Sequence, residues 1–394
     1  MTSWGARGGT DEPVREGLEM ADARTRLTEV LADLVASGRE SGLQLAVYLD
    51  GELVVDACAG VADARTGRAV DSDTLFYLFS CGKGVTATAA HLLAERGVLD
   101  YDAPIAAHWP EFAAHGKDRI TLRHALTHSA GIPRLPAGTT LGDVCDWERA
   151  CGIVAALVPE WAPGSRTEYH AETYGWLVGE TIRRADGRRV DQVVRDEVTG
   201  PLGIGDDLAL GIPDALHPRM AHHTADDHGP DVAPADLAAP LAAVPAAAQA
   251  NHPARRRACV PSSCVGTARG LARMYAALAA GGSLDGVRIL SPDRVTLATR
   301  PAVTDVDAGG APVSRALGYL LGSPSLPLRD PGVFGHDGLG ESVGFADPAR
   351  RFAFALARTH LTNDWSRTST THLIADQTRA ALGLAAEPRA RRRG

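Results

Sequence analysis

Residues 75–112 read LFYLFSCGKGVTATAAHLLAERGVLDYDAPIAAHWPEF, and this stretch decides the fold. Leu75–Phe79 is a short apolar run of strand character. From Ser80 through Ala94 the chain turns to Ala and apolar residues, as in a buried helix. At the junction stands Ser80-Cys81-Gly82-Lys83. With Ser80 at the helix start, Lys83 lies one turn on and on the same face. A serine hydroxyl is a poor nucleophile until its proton is removed. A buried lysine can take that proton, whereas an arginine stays protonated. Lysine occurs only at Lys83 and Lys117, with Arg used elsewhere, so Lys83 stands where Arg would not serve. Backbone N–H groups at the helix start also suit a developing oxyanion. The bland alternative is a capping serine beside a surface lysine. The β-rich run before the pair, the buried helix after it and the scarcity of lysine favour catalysis.

Working outward, residues 1–20 read as a flexible polar tail. Residues 21–39 space Leu27, Val30, Leu31 and Leu34 three and four apart, the pattern of an amphipathic helix. The segment 43–63, LQLAVYLDGELVVDACAGVAD, predicts a hairpin turning at Asp50-Gly51. Further helices are expected over 121–127, 172–184 and 265–280. The Pro- and Ala-rich stretch 228–255 reads as a lid-like loop. Residues 332–359 read as two or three strands with turns at Gly338–Gly340 and Asp347-Pro348. Strands near both ends with helices between them predict one α/β (α+β) domain over 21–386. Its sheet region would be 21–79 and 256–386, with a helical region, 80–255, inserted. Residues 387–394 read as a basic tail.

Composition narrows the function classes. The chain has 394 residues, 45% hydrophobic and 22% charged, which suits a globular enzyme rather than a disordered chain. A net charge of −8 argues against nucleic acid and anionic membrane surfaces as partners. No stretch approaches the roughly 20 apolar residues of a membrane span. The first residues lack an apolar signal core. The six cysteines, Cys58, Cys81, Cys145, Cys151, Cys259 and Cys264, show neither metal spacing nor a dense disulfide framework. Reduced thiols in a cytoplasmic protein are the expectation.

Five segments in order resemble one family. The 75–112 stretch is similar to the nucleophile region of class C β-lactamase-type serine hydrolases. Residues 120–135, ITLRHALTHSAGIPRL, resemble the family's next segment, and 161–182, WAPGSRTEYHAETYGWLVGETI, the segment carrying its tyrosine. Residues 265–282, VGTARGLARMYAALAAGG, and 334–348, FGHDGLGESVGFADP, resemble its later landmarks. The family holds β-lactamases, D-Ala-D-Ala peptidases, family VIII esterases and some acyltransferases. The resemblance implies a β-lactamase/transpeptidase-like fold, a mostly antiparallel sheet flanked by helices, with the site in the crevice between sheet and helical region. It implies that Ser80 is acylated, that Lys83 shares or accepts its proton, and that Tyr169 is the partner acid/base, as a phenolate held by nearby positive charge. His336-Asp337-Gly338 takes the place of the family's third motif and is expected to line the site from an edge strand. The N–H of Leu339 would join that of Ser80 as the oxyanion hole. No cofactor and no metal is implied.

The departures narrow the substrate. The family's Tyr-x-Asn is Tyr169-His170-Ala171 here, Lys-Thr-Gly is absent, and no Ser-Asp-Asn occurs. The lysine that anchors a β-lactam carboxylate is thus replaced by His336, mostly neutral at pH 7. Acyl-enzyme chemistry survives these changes better than penicillin or peptidoglycan recognition. The expected activity is hydrolysis of carboxylic esters. The alternatives are cofactor-free acyl transfer to an amine or alcohol in natural-product biosynthesis, and a catalytically silent sensor on the same fold.

Other candidates carry less weight. Gly340-Glu341-Ser342-Val343-Gly344 satisfies G-x-S-x-G, but residues 345–357 read as turn and strand where an α/β-hydrolase elbow needs a helix. His222, His223, Asp226, Asp227 and His228 are metal-ligating types, best read as a solvated loop. Cys81 reads as a small buried side chain and His128 as structural.

Overall fold

The computed structural model describes residues 12–226, 235–306, 312–322, 332–362, 366 and 368–384. A nine-stranded antiparallel sheet forms its centre. The order across it is Val303–Val306, Pro312–Arg315, Leu320–Leu321, Phe334–Asp337, Val343–Asp347, Phe352–Arg358, β1 (Gly42–Leu49), β2 (Glu52–Asp63) and β3 (Arg68–Ala69). An early and a late strand therefore meet in mid-sheet, where β1 pairs with Phe352–Arg358 from Leu43↔Arg358 to Leu49↔Phe352. The β1–β2 hairpin turns at Asp50 and Gly51, both in the left-handed region at φ +50° and +90°. That is the geometry which an Asp-Gly pair accepts most readily.

The period of two along these strands sorts side chains by size. Leu43, Leu45, Val47, Phe352, Phe354 and Leu356 share one cluster with Leu27, Leu31 and Ile374. These come from helix α1 (Glu12–Ala36) and the helix Thr370–Ala381. The alternating positions Ala46, Tyr48, Ala353, Ala355 and Ala357 join the other cluster with Leu271 and Tyr275, from the helix Ala268–Ala279. Large residues thus fill one face, and alanines let a helix lie close on the other.

A second, three-stranded sheet joins β4 (Phe76–Phe79) to Cys264–Gly266 and Leu208–Ala209. It feeds straight into helix α2 (Cys81–Glu95), buried throughout from Cys81 to Ala94. The helices Leu122–Leu126 and Thr173–Asp186 stand beyond α2.

Several expectations are adjusted. Helix α1 begins at Glu12, inside the stretch expected to be a tail; residues 1–11 and the basic 387–394 lie outside the described residues. Part of the expected loop 228–255 forms short helices, Ala246–Asn251 and Pro253–Arg257, because Ala247, Ala248, Ala250 and Arg255 bury their side chains. The strand Phe334–Asp337 is not an edge strand: it has a partner on each side. On this strand its neighbour Leu320–Leu321 reaches only Gly335 and Phe334, so His336 and Asp337 run past that partner's end.

The His222–His228 reading is also corrected. His222 and His223 are buried, not solvated. His223 Nε2 accepts from the Tyr77 N–H at 3.1 Å, and the His223 N–H donates to Asn251 at 2.8 Å. Burial pushes the His223 pKa down to about 3. Asp226 pairs with His360 at 2.8 Å, and Asp227 and His228 lie outside the described residues. Among the described residues no group of three His, Cys, Asp or Glu is placed to hold a metal ion.

Candidate active site

Ser80 caps α2 at the point where β4 ends. The turn is sharp: Phe79, just before it, holds φ +45°, left-handed geometry that a bulky residue adopts only when its surroundings impose it. A side chain at Gly82 would meet the Ser263 carbonyl carbon at 2.2 Å, so α2 begins pressed against the neighbouring strand's approach. Lys83 Nζ lies 2.8 Å from Ser80 Oγ and 3.5 Å from the Ser262 carbonyl. It is fully buried, and burial pushes its pKa down to about 8. The carboxylates of Glu172 and Asp337 work against that shift without cancelling it. With Lys83 neutral, Ser80 can donate its proton across the same 2.8 Å contact.

Tyr169 reaches this pair from the segment before helix Thr173–Asp186. Lys83 Nζ lies 4.9 Å from its ring centroid. Two histidines fix the tyrosine's backbone. The Glu168 N–H donates to the His128 carbonyl at 3.0 Å, and the His170 N–H to His128 Nδ1 at 3.0 Å. His170 in turn accepts from the Ile132 N–H through Nε2. Burial lowers the pKa of both rings, His170 to about 4, so they stay neutral, and His128 is structural as expected. The expected resting phenolate is corrected. Burial, then Asp337, drive the Tyr169 pKa well above its usual value, while the Ser80 hydroxyl and Arg315 pull the other way without cancelling the rise. These surroundings favour the phenol over a phenolate, whereas burial eases the loss of a proton from Lys83.

The third motif divides its residues between two sides of the strand. Asp337 and Leu339 line the crevice; His336 is 1% exposed, beneath it, with its ring 6.1 Å from that of Tyr169. The expectation that His336 lines the site is corrected accordingly. Burial pushes its pKa down to about 3, so it carries no charge for a substrate carboxylate. Gly338 allows the close approach of strand and nucleophile: a Cβ there would sit 2.1 Å from the Leu78 carbonyl oxygen. Leu339 thereby comes to the crevice that Ser80 lines.

That crevice has a volume of about 400 Å³. Leu241, Val313, Leu320 and Leu321 supply apolar walls; Glu172, Gln249, Arg315 and Asp337 supply polar ones. Asp337 belongs to the third motif and was expected here; sequence reading missed the others. Arg315, whose guanidinium carbon lies 5.7 Å from the Tyr169 ring centroid, sits in no motif. Burial raises the Asp337 pKa to about 6. Glu172 accepts from Ser262 Oγ at 2.8 Å and pairs with the buried Arg255 at 3.2 Å; Arg255 also donates to the Tyr77 hydroxyl. Only Glu172 had a signal, its position three after Tyr169.

The rival nucleophile does not fit. Ser342 is buried and leads into the strand Val343–Asp347, with no helix to form an elbow. Cys81 is fully buried against the carbonyls of His336 and Ser342, and burial pushes its thiol far up.

The beta-lactamase family profile matches residues 27–379. Esterase/beta-lactamase LipL of Mycobacterium tuberculosis is 36% identical over 360 residues, 85% of this chain and 81% of that protein. Among solved structures, a family VIII carboxylesterase superposes with a TM-score of 0.82 at 33% identity, covering 91% of this chain and 97% of that one. A penicillin-binding protein homologue from Caulobacter crescentus gives 0.81 at 33% identity, covering 92% and 97%. With the match running through the sheet, α2 and the crevice alike, the chain belongs to the beta-lactamase family of serine hydrolases.

Proposed function

We propose that the protein is a carboxylesterase that hydrolyses small esters through an acyl-enzyme on Ser80. The observation that carries this reading is the 2.8 Å contact between Ser80 and a lysine whose pKa burial lowers to about 8. Neutral Lys83 takes the Ser80 proton as Oγ attacks the ester carbonyl. The N–H groups of Ser80 and Leu339 receive the developing oxyanion. The ester C–O bond then breaks, and the alkoxide takes up a proton from Lys83 or the Tyr169 phenol. Water, losing its proton to the same groups, releases the acid and restores Ser80. Each step balances without a cofactor.

Two absences support esters over β-lactams. Ala171 offers no amide, and the buried, neutral His336 offers no charge. The name of the superposed carboxylesterase points the same way, while that of LipL couples esterase with beta-lactamase. All six cysteines are free thiols, which supports a cytoplasmic setting, and no helix among the described residues is long and apolar enough to cross a membrane. The test is intact-mass and peptide mapping after exposure to a fluorophosphonate, with turnover of p-nitrophenyl esters in parallel. A single adduct on Ser80 with ester turnover is expected. Labelling elsewhere, or turnover that survives loss of Ser80, would refute the reading.

A further inference from the structure

Behind the turn that carries Leu339, three buried charges form a chain. Arg358, at the end of strand Phe352–Arg358, donates from Nη1 to Glu341 Oε2 at 3.0 Å and from Nη2 to Glu40 Oε1 at 2.5 Å. Their side chains are 2%, 1% and 0% exposed. They line a separate cleft of about 160 Å³ with Thr362, not the catalytic crevice. Burial raises the Glu40 pKa and Arg358 opposes that rise.

Glu341 is the member within reach of the chemistry. It holds φ +70°, directly after Gly340 at φ +84°. Glycine occupies this left-handed region freely; a glutamate there must be held by its contacts. The contacts are present. Its second carboxylate oxygen accepts from the Thr362 hydroxyl. Its carbonyl accepts from Thr371 Oγ1 at 2.9 Å, at the start of the helix Thr370–Ala381. Its N–H donates to the Gly338 carbonyl at 2.9 Å, while the Gly338 N–H donates to the Ser342 carbonyl at 2.7 Å. Leu339 is enclosed by these two bonds.

We propose that Glu341 is a positioning residue for ester hydrolysis: tethered by Arg358, Thr362 and Thr371, it holds the Gly338–Ser342 turn so that the Leu339 N–H faces the crevice. This rests on the Ser80 reading of the reaction. A buried ion cluster is a poor source of net stability, because desolvation opposes the attraction. Geometric constraint on a strained turn is the role that its connections support.

The first variant is Glu341→Gln. It keeps the shape and leaves Arg358 paired one to one with Glu40, so no buried charge is stranded. On p-nitrophenyl acetate, kcat should fall roughly 10–100-fold with KM within about twofold of wild type. Affinity for a boronic acid, which forms a tetrahedral anion on Ser80, should fall in parallel. Glu341→Gly supplies the backbone freedom without the tether and should not restore kcat. Thr371→Val removes one hydrogen bond to the turn and no charge, and should lower kcat by about threefold to tenfold at unchanged KM. Thermal melting accompanies each measurement.

A folded Glu341→Gln with wild-type kcat and boronate affinity overturns the proposal. Full kcat in Glu341→Gly overturns it as well. Should Glu341→Gln not fold, Thr371→Val decides, and wild-type kcat there overturns it. A wild-type protein that is not labelled on Ser80 refutes the parent reading instead, so the two failures are distinguishable.

Discussion

Lys83 Nζ stands 2.8 Å from Ser80 Oγ because one helix start carries both residues. A single turn of α2 fixes the spacing, and the full burial of Lys83 lowers its pKa. Neither effect depends on a loop, so the pair is assembled before any substrate arrives.

The nucleophile is tested first. Ser80→Ala should abolish fluorophosphonate labelling and ester turnover, while Ser342→Ala remains labelled. Mass mapping of the adduct checks it, and a label on Ser342 contradicts the assignment.

Replacing Lys83 separates proton transfer from charge. Lys83→Arg keeps the charge but cannot release its proton, and it puts a larger head at a fully buried position. It should be nearly as damaging as Lys83→Ala, with kcat lower by roughly 100-fold or more. Near-normal steady-state rates in Lys83→Arg would leave the lysine only an electrostatic role.

The pH profile is set by the same group. Burial holds the Lys83 pKa at about 8, and the base form is the active one. The kcat/KM should therefore rise with pH up to about 8 and then level off. Asp337 raises the Lys83 pKa, so Asp337→Asn should move the rising limb to lower pH. A shift to higher pH, or none, would show that another group titrates.

Substrate choice rests on Ala171 and on the burial of His336. A neutral hydrogen bond is worth about 0.5–1.5 kcal/mol and a charge-assisted one about 1.5–3 kcal/mol, so losing one contact to a β-lactam's amide and one to its carboxylate costs roughly 30-fold or more. Short-chain p-nitrophenyl esters should exceed penicillins and cephalosporins by at least that factor in kcat/KM. Comparable rates would mean that Arg315 or another lining group supplies the anchor.

Gly338 offers a steric check. Ala at this position places its Cβ 2.1 Å from the Leu78 carbonyl oxygen, which is backbone and cannot swing aside. Gly338→Ala should push the strand away from β4, lowering kcat by roughly 100-fold and lowering the melting temperature. Unchanged kinetics would show that the turn adapts.

The sequence by itself determined the local devices. Ser80 and Lys83 belong to one helix turn, Asp50-Gly51 turns one hairpin, and residues 332–359 read as strands with turns between them; such features are set by near neighbours and need no distant partner. The order of five motifs pointed to Tyr169 and to the third motif. Tertiary structure decided what distance in the chain conceals. It placed His336 under the strand and Asp337 above it, brought Arg315 and Gln249 to the crevice, and buried His222 and His223 where residue type alone implied solvent. It also joined Glu40, Glu341 and Arg358, which no pattern connects. Protonation belongs with these, because the pKa values of Lys83, Tyr169 and Asp337 are set mainly by burial, and burial is a property of packed elements rather than of neighbouring letters.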